Sequence, residues 1–165
     1  MAWAKLGTVT STVTVSDLTT GVFTANKFIM AISYHDDTPA ANTSGAIRVG
    51  VGTIDTTANY AYRRSDNGGT DSTTINASYI YTGQDGGNQL MITYGVNIDG
   101  EEKLFITNLC HQSTVGAGTA PTRIEGVGKW ITSSQYTIYQ LTAQTGGTRQ
   151  ISSDSNLSVL GTDGD

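Results

Sequence analysis

Cys110 and His111 are adjacent, which pairs the chain's single thiol with one of its two imidazoles. A cysteine nucleophile needs a base within hydrogen-bond reach. Neighbours along a strand point to opposite faces, so these two side chains diverge. Cys110 therefore reads as a buried structural thiol, since free cysteine is among the most buried residue types. His35-Asp36-Asp37, Asp66 with Asp71, and Asp99 with Glu101 and Glu102 offer donors for a metal. None has the ordered spacing of a calcium loop, and aspartate also closes turns, so turn chemistry is the reading. The chain's three glutamates give no pair placed to flank a glycosidic bond. Gly126-Val127-Gly128-Lys129-Trp130 lacks the spacing of a phosphate loop, and a strand pattern follows it rather than a helix. Its glycines read as places where a neighbour, such as an indole, packs closely. No catalytic residue, cofactor or metal is expected.

The tyrosines offer a different chemistry. Tyr60 and Tyr62 share a strand face, as do Tyr79 and Tyr81, while Tyr136 and Tyr139 fall on opposite faces of another strand. An exposed pair of rings stacks on a sugar or on a partner protein; a covered pair is cross-strand packing. Both readings stay open at this level. Asn42, Asn76 and Asn156 head glycosylation acceptor patterns, which chance alone supplies in a chain this rich in Ser and Thr.

These residues must be positioned by strands. Apolar residues recur with period two in Leu90, Ile92, Tyr94, Val96 and Ile98, and in Phe28, Met30, Ile32 and Tyr34. Such alternation marks strands with one buried face, and these residues are the expected buried set. Ile47, Val49 and Val51 repeat the pattern, with Arg48 opposite. Phe105, Thr107 and Leu109 alternate with Leu104, Ile106, Asn108 and Cys110, and apolar residues on both faces point to a central strand. The spacing predicts strands near 7–15, 27–35, 45–52, 58–64, 73–82, 89–98, 102–111, 123–130, 135–142 and 156–161. Asp99-Gly100 is the signature of a tight two-residue hairpin. Segments 36–43 and 112–121 read as loops across an open end. Trp130 is expected to be substantially buried. About ten strands with regular turns predict an all-β, antiparallel two-sheet sandwich of jelly-roll type, with a closed barrel as the alternative. Residues 1–165 form a single domain in this reading.

Composition narrows the function classes. Thr, Ser and Gly number 27, 14 and 20 of 165 residues, against 3 Glu and 4 Lys, which excludes a helical bundle. The longest apolar run, Phe28–Ile32, is far short of the roughly 20 residues that span a bilayer. The first residues lack the apolar stretch of a signal peptide. A net charge of −5 argues against nucleic acid as a partner.

Several stretches stand in order along the chain: Met1-Ala2-Trp3-x-Lys5-Leu6-Gly7, Lys27-Phe28-Ile29-Met30, and Tyr62-x-Arg64-Ser65-x-Asn67-Gly68-Gly69-x-Asp71. Glu102-Lys103-Leu104-Phe105-Ile106 follows. Then come Ala117-Gly118-x-Ala120-Pro121-x-Arg123-x-Glu125-x-Val127-Gly128-Lys129-Trp130 and Leu157-x-Val159-Leu160-Gly161-Thr162-Asp163. Taken together they resemble small proteins encoded by tailed phages, especially marine ones, a group that commonly has Glu where Ala4 stands. The resemblance implies a virion-associated β-sandwich of the capsid-decoration, head-fibre or tail-fibre type, and transfers no catalytic residues. The expected partners are copies of the chain, a trimer being favoured, and other virion proteins, with assembly in the host cytoplasm. No membrane partner is expected. The alternative is a carbohydrate- or receptor-binding module at a fibre tip, using Tyr60, Tyr62, Tyr79 and Tyr81.

Overall fold

The computed structural model describes residues 2–37, 45–83, 86–143 and 150–164. The strands are β1 (Ala4–Thr10), β2 (Asp17–Thr19), β3 (Phe28–Asp37), β4 (Gly45–Val51), β5 (Thr53–Ile54), β6 (Tyr60–Asp66), β7 (Ser72–Ala77), β8 (Ile80–Tyr81), β9 (Gly87–Val96), β10 (Lys103–Gln112), β11 (Thr122–Trp130), β12 (Ile138–Ala143) and β13 (Asn156–Thr162). They form two antiparallel sheets. One has eight strands in the order β1-β13-β3-β9-β10-β11-β6-β7; the other runs β2-β12-β4-β5, with β8 also paired to β4. Strands β1 to β4 alternate between the sheets, as do β12 and β13. Each late strand lies between two early ones, an interleaving of the jelly-roll kind. The expected all-β sandwich is what forms.

Its core lies between the sheets. Ile29, Met91, Phe105, Leu109, Ile124, Trp130 and Leu157 of the large sheet meet Leu18, Ile47, Val49, Tyr139 and Leu141 of the small one. Trp130 is buried as expected. Its ring stacks on Tyr60, with centroids 6.4 Å apart, and its Nε1 donates to Asp55 Oδ2 at 2.8 Å.

Several expectations need correction. The strand placed at 7–15 is β1, which ends at Thr10, and the short β2 and β5 have too few residues to show a period. The strand placed at 73–82 breaks into β7 and β8, because the chain crosses from the large sheet to the small one at Ser78 and Tyr79. Asp99 and Gly100 do not form a two-residue hairpin. They are the corner of a β-turn, Glu101 N donating to Ile98 O at 3.4 Å, inside the longer 97–102 connection. Gly100 takes a φ of +83°, which favours glycine. Lys103 lengthens that connection. Its buried ammonium donates to the carbonyls of Ile98 (2.5 Å), Ser133 (2.7 Å) and Glu101, so the turn folds over it. Tyr136 precedes β12 and lies in the core together with Tyr139, rather than opposite it. Gly128 is filled not by an indole but by Ile80, whose Cδ1 lies 2.6 Å from where a Cβ would stand. Of the expected 36–43 loop, residues 38–43 lie outside the described residues; the other loop joins β10 to β11.

Candidate interaction face

The largest correction concerns which face of the large sheet is covered. On β3 the buried side chains are Ile29, Ala31, Ser33 and His35; on β9 they are Gln89, Met91, Thr93 and Gly95. Phe28, Met30, Ile32, Tyr34, Leu90, Ile92, Tyr94 and Val96 therefore point outward. The alternation was real, but the more apolar set faces away from the small sheet. Cys110 follows the same rule. It is exposed on the outer face, not buried, while His111 turns into the interior.

Strand register aligns these outer residues in rows. Phe28, Val96 and Leu104 are successive cross-strand neighbours, as are Met30, Tyr94, Ile106 and Val127, and then Tyr34, Leu90 and Cys110. Ile106 is 57% exposed, Leu104 56%, Val127 51%, Leu90 48% and Tyr94 45%. A recess of about 740 Å³ opens among Phe28, Tyr94, Leu104, Ile106 and Val127, with Trp3 among its walls. Polar groups border the rows. Ser158 and Asn156 flank β3 on the β13 side. On the other side stand the ion pairs Arg63–Asp71 (3.1 Å), Lys129–Glu102 (2.8 Å) and Arg123–Glu125 (3.4 Å). An apolar centre with a polar rim is the anatomy of a protein–protein contact. Solitary exposed apolar residues are ordinary, whereas a contiguous patch of this kind marks an interaction surface.

The tyrosines singled out from sequence lie elsewhere. Tyr60 is buried; its hydroxyl donates toward the carbonyls of Val49 (2.9 Å) and Asp55 (3.0 Å) and accepts from Val49 N (3.1 Å). Burial raises its pKa well above that of free tyrosine. Tyr62, Tyr79 and Tyr81 are half-buried at the side of the sandwich where β8 joins the sheets. Tyr62 packs against Tyr79 and Tyr81 at centroid distances of 6.5 and 6.3 Å. Arg48 lies 5.8 Å from the Tyr79 ring centre and Arg64 4.2 Å from that of Tyr81. Arg64 is itself fixed, donating to Asp66 (2.6 and 3.1 Å) and to Gly83 O (2.7 Å). Cation and ring pair through the ring's electron-rich face, so these faces are already occupied.

The interior holds one polar cluster that sequence did not assemble. His35 and Gln89 are fully buried, with His111 close by and joined through Nε2 to Gly86 O. Burial drives the pKa of His35 down to about 4; the neighbouring Gln89 side chain partly opposes this and His111 adds to it. His35 is therefore neutral at pH 7. Asp55 is displaced too, its carboxyl held at about 2. Desolvation pushes it up, but hydrogen bonds from Thr57, Trp130 and Asn59 outweigh that. Among the described residues, no three His, Cys, Asp or Glu side chains come together as a metal would require, and no helix is long and apolar enough to cross a membrane.

No family model and no curated protein matches the chain. Among solved structures, Eiger TNF from S. frugiperda is similar at 8% identity, over 98% of this chain and 88% of that one. The TM-score is 0.24.

Proposed function

We propose that this chain is a non-enzymatic structural protein of a phage virion, a capsid-decoration or fibre subunit that joins its neighbours through symmetric protein–protein contacts. The observation that carries the reading is the apolar outer face of the eight-stranded sheet, framed by ion pairs and polar side chains. The ordered resemblance along the sequence supports the virion assignment. The divergence of exposed Cys110 from buried His111 supports a role without thiol–imidazole chemistry. Mass spectrometry of purified particles of the phage that encodes the chain, with immunogold labelling of intact particles, tests it. The chain should be present in a fixed ratio to the shell or tail proteins, and its absence from clean particles refutes the proposal.

A glycan-binding module is the second reading. It draws on a recess of about 550 Å³ beside Tyr81 and Arg64, with Asp66, Thr70 and Ser72 in its wall. Arg64 already lies over the Tyr81 ring and Arg48 over that of Tyr79, which favours the first reading. A glycan array probed with the wild type and with Tyr81→Ala separates the two.

A further inference from the structure

We infer that the partner covering the outer face of the eight-stranded sheet is a second copy of this chain. This rests on the structural reading above and assigns it a surface. With Tyr34 (44% exposed) and Phe28 (38%) added to the exposures given above, the large side chains of that face leave on the order of 700 Å² of largely apolar surface, close to the roughly 800 Å² that one partner brings to a standard interface.

Charge permits a copy and disfavours a strongly charged partner. The rim holds Arg63 with Asp71, Lys129 with Glu102 and Arg123 with Glu125, and exposed Lys5 stands on β1 across from Leu160, so the named groups balance to within one charge. A copy therefore meets this face without strong repulsion, although the whole chain carries −5. An anionic membrane or an acidic partner would call for a cationic cluster, which one lysine does not make. The centre of the face carries Phe28, Met30 and Tyr94, residue types enriched at the core of protein contacts. Self-association through one patch is also the commonest route to a closed oligomer.

The test uses the full chain and three variants. Ile106→Asp and Leu104→Asp each place a carboxylate in the apolar rows, at positions already open to water. Val115→Asp changes an exposed apolar residue on the 113–121 loop and serves as the control. Circular dichroism and the thermal midpoint report whether each variant folds. Light scattering at micromolar concentration reads the mass. The wild type and Val115→Asp are expected at an integer multiple of 17.4 kDa, and the two rows variants at the monomer mass. A wild type that assembles while both rows variants, folded, stay assembled overturns the inference and leaves the structural reading standing. A monomeric wild type also overturns it, and binding to purified particles then decides the rest. Binding lost in Ile106→Asp means that another virion protein covers the face; no binding by the wild type removes the structural reading as well.

Discussion

The inner and outer faces of the eight-stranded sheet come from the same strands and carry opposite compositions. Inward, β9 and the residue after it present Gln89, Met91, Thr93, Gly95 and Asn97; outward, β9 presents Leu90, Ile92, Tyr94 and Val96. By hydrophobicity alone the second set belongs inside. Three members of the first set, Gly95, Asn97 and Thr93, meet matching groups from distant segments or a neighbouring strand. Gly95 leaves room for the Tyr136 hydroxyl, which lies 2.6 Å from where a Cβ would stand. Asn97 donates to Asn26 O (3.0 Å) and Tyr136 O (3.1 Å) and accepts from Tyr136 N (2.8 Å). Thr93 pairs with Thr107 at 3.2 Å. Buried polar groups are tolerated when they are hydrogen-bonded, and small ones admit large aromatic neighbours. The lesson is that complementarity within the chain places the inner face, whereas the outer face awaits complementarity from outside it.

That contrast can be broken by measurement. At protein concentrations low enough to keep the chain monomeric, Trp130→Ala and Phe105→Ala, both on the inner face, should each cost about 3–5 kcal/mol in denaturant unfolding. A cost near zero would mean that the core has been assigned to the wrong side. Gly128→Val should cost about 1–3 kcal/mol by overpacking against Ile80, and Ile80→Ala in the same chain should return part of the loss.

Acid should also discriminate between the faces. His35 is buried and neutral, with its pKa lowered from 6.5 to about 4. The unfolded chain binds the extra proton first, so this contribution is complete above pH 6.5 and declines as the pH falls toward 4. By pH 5 the loss should reach about 2 kcal/mol, and His35→Gln should flatten the pH dependence of unfolding in that window. Asp55 behaves likewise at lower pH: its stabilising hydrogen bonds are present above pH 3.8 and are lost as the pH approaches about 2. Gly100→Val, which belongs to neither face, should cost about 1–2 kcal/mol for forcing a β-branched residue to positive φ. The smallest effect is expected outside. Leu104→Ala, the sequence neighbour of Phe105, should change monomer stability by less than about 1 kcal/mol. An outer-face cost equal to that of Phe105→Ala would erase the distinction.

Sequence reading reached the sandwich because period-two alternation and turn residues are local signals. It also located Trp130, whose size and apolar neighbours demand burial. It inverted the faces of β3 and β9 because alternation gives the period but not which phase is covered. His35, Gln89 and Asn97 look like surface residues in the sequence, and what encloses them is non-local: Asn97 bonds Asn26 and Tyr136, both far along the chain. Cys110 went wrong with its strand: once Phe105, Thr107 and Leu109 face inward, Cys110 must face out. One clue lies in the two apolar faces of β10, which predict a central strand. The strand is central in the sheet, and its second apolar face is the uncovered one. The cluster of Tyr62, Tyr79 and Tyr81 could be named from sequence, but not the two arginines that cap it, because Arg48 and Arg64 reach it from different sheets.

The position of β13 sets a schedule for synthesis. Among the described residues β1 pairs only with β13, and β3 lies between β13 and β9. A nascent chain thus carries its first strand without a neighbour and its third with one open edge until residues 156–162 have been made. Open edges on apolar strands invite pairing with other chains. A ribosome that stalls after residue 155 would release a product unable to close its larger sheet. Chains that include β13, by contrast, can join β1 and β3 through a strand made more than a hundred residues after them.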